Sequence, residues 1–215
     1  MHKAKKIGLL DLTRGELGTR GSAELRDEEA ANSARKMGAL VRENARMADG
    51  FFEHSPENII KIVEVVRRYQ PTIVLANSLH DRHPDHGRAA KLIQDACFYS
   101  GLAKIETHDT DGTPQERWRP QNIYHYIQDY DLKPDFVVDV TPFWEHKKEL
   151  IFTFRSQFFD ADGDDKELST PISGKDFVDF LDARGRNFGR AGGCEFGEGF
   201  QVARTLGIND LFELH

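Results

Sequence analysis

The run Leu79-His80-Asp81-Arg82-His83-Pro84-Asp85-His86 places three imidazoles and two carboxylates within eight residues. It follows directly on the apolar stretch Thr72-Ile73-Val74-Leu75-Ala76, which reads as a strand. Ligands and metals collect at the carboxyl ends of strands in parallel α/β sheets, so a polar cluster placed there is expected to carry chemistry. His83 and His86 are three residues apart, and Pro84 pre-sets the backbone for a first helical turn. Both rings can then project from one helix entrance toward a common point. Two neutral imidazoles with neighbouring carboxylates to orient them suit a Zn²⁺ ion. H-P-D-H alone supplies too few ligands to close such a site, and histidines in an acidic loop also have a plain structural use in capping a helix.

The elements that must position this run alternate between short apolar stretches and segments of helical period, the pattern of parallel strands joined by crossover helices. Ile7 to Leu12 is the first strand, and Ser22 is a cap for a helix running to about Met37. Val41 to Met47 reads as a short strand. Ser55-Pro56-Glu57 is a helix start, with the helix Ile59 to Tyr69 ending before Pro71. After the histidine run, a helix from Ala89 to Tyr99 closes the βαβ unit at Gly101. Residues 106–120 read as an excursion loop. Asn122 to Ile127 and Phe136 to Val140 are further strands, the second leading through Pro142 into a helix ending near Phe158. Asp160 to Asp165 is an acidic turn, Lys175 to Phe188 an amphipathic helix, and Gly189 to Gly199 a glycine-rich stretch. The expected fold class is α/β, with crossover helices over a mostly parallel sheet in a single domain over 1–215.

A chain of 215 residues with 39% apolar content is long enough to bury one sizeable core. Its net charge of -7 argues against nucleic acid or an anionic membrane surface as the main partner and favours a small-molecule substrate. Cys97 and Cys194 are the only cysteines and lack C-x-x-C spacing, which fits a reducing compartment. The basic start Met1 to Lys6 is followed by an apolar stretch of Ile7 to Leu10 only, so a cytoplasmic location is expected. Three further segments could join the site. Arg14, Arg20 and Arg26 offer guanidinium forks for a carboxylate or sugar hydroxyls. Arg155-Ser156-Gln157-Phe158 lies at a helix end, and Glu195 to Phe200 mixes acids, aromatics and glycines as pocket walls do. No glycine-rich loop has the spacing of a phosphate cradle.

Leu10-Asp11-Leu12-Thr13, Glu24-Leu25-Arg26, Glu28 to Ala31, Arg42-Glu43-Asn44, Asp81 to His86, Arg155 to Phe158 and Glu198-Gly199-Phe200 together resemble the zinc-dependent LmbE/PIG-L deacetylases. The likeness is closest to the bacillithiol biosynthesis deacetylase branch and runs along nearly the whole chain. It implies a Rossmann-like fold of three α/β/α layers, removal of the N-acetyl group from glucosamine conjugates such as N-acetylglucosaminyl malate, Zn²⁺ as cofactor, and a homo-oligomer, trimer or hexamer. By the same resemblance His86 is a metal ligand, and His83 is the general acid that stabilises the oxyanion. Asp85 is the carboxylate that orients His83, and Arg26 lines the substrate pocket. The implied reaction has the metal activate a water for attack on the acetamide carbonyl while His83 protonates the leaving amine.

The chain departs from that family in two places. The A-H-P-D-D segment, which supplies the family's other metal ligands and its general base, does not occur in it. The resemblance implies that Met1 to Lys6 align with the end of the family's first helix, so that roughly 25 to 30 residues, a βα unit, are missing ahead of it. Phe196 stands where close relatives often carry Tyr two residues before Glu-Gly-Phe. Two other readings therefore stand beside the deacetylase: a non-catalytic sugar-binding relative, and a different hydrolase holding its metal with His80, His83 and His86.

Overall fold

Strands β1 (Gly8–Asp11) and β2 (Val41–Asn44) pair in parallel, Gly8 opposite Val41 and Asp11 opposite Asn44, with helix α1 (Ala23–Met37) as the crossover between them. The computed structural model describes residues 6–158, 168 and 170–213. They fall into two compact units, the first within 1–49 and 139–197 and the second within 50–138 and 198–215.

In the first unit, Ser22 caps α1 by accepting a hydrogen bond from the Leu25 N–H at 3.2 Å, and Gly38 ends the helix in the left-handed conformation. Arg42 then ties strand to strand and strand to helix. Its Nε and Nη2 donate to the two oxygens of Asp11 at 2.6 and 2.8 Å, and its Nη1 donates to the Ala30 carbonyl at 3.1 Å. Glu29, buried on α1, accepts from the backbone N–H of Ser156 at 2.8 Å and from its hydroxyl at 2.7 Å.

That pair corrects the helix expected to end near Phe158. Helix α4 (Trp144–Ile151) stops seven residues earlier. Thr153 turns its hydroxyl back onto the Glu149 carbonyl, and the chain leaves the helix in tight turns that bring Ser156 to Glu29. The acidic turn Asp160 to Asp165 lies outside the described residues. Helix α5 (Lys175–Gly192) runs four residues past Phe188. It carries glycines because two neighbours lie against it: a Cβ on Gly185 would meet Cζ2 of Trp144 at 2.8 Å, and one on Gly189 would meet the carbonyl oxygen of Glu195 at 2.5 Å. Trp144 stacks on Phe196 with centroids 4.5 Å apart, and Arg186 covers the other side of the Phe196 ring. Phe196 is thus a packing residue in an aromatic stack.

The second unit holds a four-stranded sheet in the order β3 (Ile73–Ala76), β4 (Asn122–Tyr126), β6 (Gly197–Val202), β5 (Phe136–Asp139). β3 and β4 are parallel, whereas β4 and β6 are antiparallel, so the α/β fold is only partly parallel. The glycine-rich end of the chain was expected as turn and pocket wall; instead Gly197 to Val202 form a strand, with Phe200 buried and stacked on Phe136. Helix α2 (Pro56–Tyr69) starts as the Ser55-Pro56 signal requires and buries Ile59, Ile62, Val63 and Val66. Helix α3 (Pro84–Tyr99) begins five residues before the expected Ala89, because Pro84 occupies its first turn and His83 caps it. Arg67 is buried in this unit and, among the described residues, donates to neutral oxygens: the carbonyls of Ser100, Leu102 and Ile105 and the hydroxyl of Thr107, at 2.7 to 3.0 Å. No helix among the described residues is long and apolar enough to cross a membrane.

Candidate active site

The segment from Asn77 to His83 leaves the carboxyl end of β3 and enters α3, and buried polar groups fix its course. His125 on β4 is fully buried; its Nδ1–H donates to the Asn77 carbonyl at 2.7 Å, and its Nε2 accepts from the Gln94 amide at 3.0 Å. Burial pushes the His125 pKa below its ordinary value, opposed by the Asn77 carbonyl. Ser78, also fully buried, donates its hydroxyl to the His80 carbonyl at 2.9 Å.

The two histidines of H-P-D-H then receive opposite treatment. The Asp81 side chain is inaccessible to solvent; one oxygen accepts from the Arg82 N–H at 2.7 Å and the other from Nδ1 of His86 at 2.7 Å. With its proton on Nδ1, His86 keeps the Nε2 lone pair, the form in which carboxylate-oriented histidines bind metals. His83 is the N-cap of α3: its Nδ1 accepts from the backbone N–H of Asp85 at 3.2 Å, which leaves the ring proton on Nε2 as a donor. The two rings lie 5.0 Å apart, nearly parallel. His86 is therefore presented as a ligand and His83 as a hydrogen-bond donor, from one helix entrance.

Asp85 meets His83 through its backbone N–H. Its carboxylate, buried, accepts from the Gly50 N–H at 2.8 Å and from Arg88 at 2.9 Å, so its described partners hold the first turn of α3 to the chain at Gly50. His80 packs against Tyr130, with centroids 5.4 Å apart. Among the described residues no group of three or more His, Cys, Asp or Glu is placed to hold a metal ion, and His80, His83 and His86 do not converge as a trio in this arrangement. His86 fits a metal by its donor chemistry, and it is a single ligand.

Arg26 belongs to the first unit. Its Nη1 donates to the Gly15 carbonyl and its Nη2 to the Arg20 carbonyl at 2.9 Å, so it pins the loop that follows β1, while its buried Nε has no partner among the described residues. Arg14 is engaged by Asp27 at 2.7 Å and Glu24 at 3.2 Å on the surface. Asp49 fastens the same loop, accepting from the Thr13 hydroxyl and the Leu17 N–H.

Sequence reasoning did not single out Asp81 as the partner of His86, nor the buttress of His125 and Ser78. An acid five residues ahead of a histidine across a helix start was the available signal for the first. The segment after β4 gave no local signal beyond following a parallel strand.

A mixed α/β fold places a histidine and carboxylate cluster at a strand's carboxyl end, where such folds take their ligands. Comparison with known proteins carries this further. The family model described as PIG-L, GlcNAc-PI de-N-acetylase, matches residues 1–97, the segment that contains H-P-D-H. The diacetylchitobiose deacetylase of Thermococcus kodakarensis is 29% identical over 154 residues, 70% of this chain and 56% of that protein. The 4-oxalmesaconate hydratase of Pseudomonas putida is 27% identical over 141 residues, 64% of this chain and 53% of that protein. Each match thus spans little more than half of the curated relative. Among solved structures, a conserved protein of Thermus thermophilus is 29% identical with a TM-score of 0.79, over 95% of this chain and 84% of that one. The chain is thus similar to the PIG-L family over residues 1–97 and to these proteins over longer stretches.

Proposed function

We propose that the chain is an N-deacetylase of an N-acetylglucosamine conjugate, with N-acetylglucosaminyl malate of bacillithiol biosynthesis as its substrate, and that it acts as a Zn²⁺-dependent homo-oligomer. One observation carries this reading: two imidazoles of opposite tautomer at a single helix entrance, one presented as a ligand and one as a donor. The family match over this segment and the similarity to a diacetylchitobiose deacetylase support the reaction class.

When bound, a divalent ion held in part by His86 supplies Lewis-acid activation of water. The rest of the chemistry belongs to the chain. The Nε2–H of His83 would donate to the oxygen of the acetamide as it becomes tetrahedral, and the proton lost by the attacking water would go to the departing amine, leaving the imidazole neutral. Asp81 holds His86 in the tautomer that leaves Nε2 open, and Asp85 keeps the first turn of α3 in place.

The test is acetate release from N-acetylglucosaminyl malate and from N,N'-diacetylchitobiose, with the chain loaded with Zn²⁺. Release from the malate conjugate, lowered about 100-fold by His83→Gln, is the expected result. No release from either sugar overturns the deacetylase. The similarity to a 4-oxalmesaconate hydratase favours a second reading, addition of water across the carbon–carbon double bond of an unsaturated carboxylic acid, which loss of conjugated absorbance would reveal. Sugar binding without turnover assigns the chain to the sugar-binding alternative.

A further inference from the structure

Helix α3 presents two histidines at its entrance and, toward its other end, forms one wall of a cavity of about 240 Å³ within the second unit. The cavity lies where β4 begins and β6 ends, the end of the sheet opposite to that from which the histidine loop leaves. Cys97 belongs to its floor: it is 1% exposed, and burial pushes its thiol up to about 12, so that it stays neutral. The exposed side chains of Phe98 and Leu206 form its lip. Arg119 and Arg204 stand in the same wall. Arg119 lies over the Phe98 ring, 4.6 Å from its centroid, and donates to the Phe98 carbonyl at 2.9 Å. Arg204 donates to the Gln121 carbonyl and to the side-chain oxygen of Asn122, each at 3.4 Å. Among the described residues neither guanidinium meets a carboxylate, and no acidic residue lines the cavity.

Two guanidiniums held by neutral oxygens keep their charge and further N–H groups for an anion, and their planar forks match a carboxylate. The apolar floor and lip ask for an apolar body beside that carboxylate. At about 30 Å³ for each water, the space equals about eight waters, which a ligand of roughly eight to ten non-hydrogen atoms would replace. The geometry points to a binding site for a small carboxylate with an aryl or branched apolar body, its carboxylate held by Arg119 and Arg204. Gln94 joins this site to the histidine loop. It lines the cavity, and its amide donates to Nε2 of His125, whose Nδ1–H holds the Asn77 carbonyl where that loop begins. An occupant that touches Gln94 is therefore felt at His125. The site goes beyond the deacetylase reading and does not depend on it.

The test is a titration of the intact chain with sodium benzoate at constant ionic strength, followed by NMR of the ligand and of the imidazole nitrogens of His125. Saturable binding with a shift at His125 Nε2 is expected. Benzamide, the neutral isostere, and acetate, which lacks the apolar body, should each bind about tenfold more weakly. Arg119→Gln and Arg204→Gln should each weaken benzoate about tenfold, with urea unfolding as in the wild-type chain. Equal binding of benzamide, or unchanged benzoate affinity in both variants, overturns the carboxylate site, as does the lack of saturable binding. Binding of benzoate with no shift at His125 overturns the link through Gln94. None of these outcomes touches the deacetylase reading, which acetate release decides.

Discussion

His86 and Asp81 are joined by a 2.7 Å hydrogen bond, whereas His83, three residues away, accepts one from the backbone N–H of Asp85. Neighbouring imidazoles on one helix entrance are thereby forced into opposite tautomers. Nitrogen-detected NMR above neutral pH is expected to find the proton of His86 on Nδ1 and that of His83 on Nε2. Asp81→Asn should scramble the first and leave the second, and should lower metal affinity at His86 about 10-fold or more in a metal titration.

Arg67 supplies donors to three carbonyls and a hydroxyl in the segment Ser100 to Thr107. Arg67→Met removes these donors; the Ser100 and Leu102 carbonyls keep the N–H groups of Trp118 and Ile105, but the Ile105 carbonyl and the Thr107 hydroxyl lose theirs, with an expected loss of about 3 kcal/mol in urea unfolding. Arg67→Lys keeps the charge but lacks the planar fork that reaches all four, so it should recover only part of the loss.

His125 makes stability depend on pH with a definite sign. Its pKa is lower folded than unfolded, so the native chain binds fewer protons and stability rises with pH through that window. The contribution is complete above the ordinary histidine value of about 6.5 and is lost as pH falls below it, by at most about 1.4 kcal/mol per pH unit. Urea midpoints between neutrality and mild acid should show this slope in the wild-type chain. His125→Gln should flatten it; an equal slope in both would show that other groups carry it.

Gly189 touches main chain, which cannot move aside. Gly189→Ala should cost about 2 kcal/mol. Gly185→Ala pushes instead on the ring of Trp144, so its first sign is expected in the near-ultraviolet circular dichroism of the stack with Phe196. An unaltered spectrum would mean that the ring had room to spare.

Much of the fold was legible because it is announced locally. Ser22 and Ser55-Pro56 start the helices they promise, and the apolar run before His80 is a strand. What was not legible depends on partners distant in the chain. Helix α4 stops early because Ser156 answers Glu29, and Gly197 to Val202 become a strand because β4 offers an antiparallel edge. The glycines there look like turn residues when read alone. At the site, the spacing of His83, Asp85 and His86 announced one helix entrance but not the hydrogen bonds made there. Asp81 serves His86 and Asp85 serves Gly50 and Arg88 because the helix begins at Pro84, a boundary that the apolar periodicity alone had placed at Ala89.

The bond between Glu29 and Ser156 spans 127 positions of sequence, and the first unit is assembled from two stretches that flank most of the second. During synthesis β1, α1 and β2 emerge early with a carboxylate that has no partner until Ser156 leaves the ribosome. Residues 50–138 by contrast already hold β3, β4, α2, α3 and the bonds of Arg67 and His125. Long-range closure is slow relative to local pairing. The histidine loop is therefore expected to take shape before Ser156 reaches Glu29 and closes the first unit.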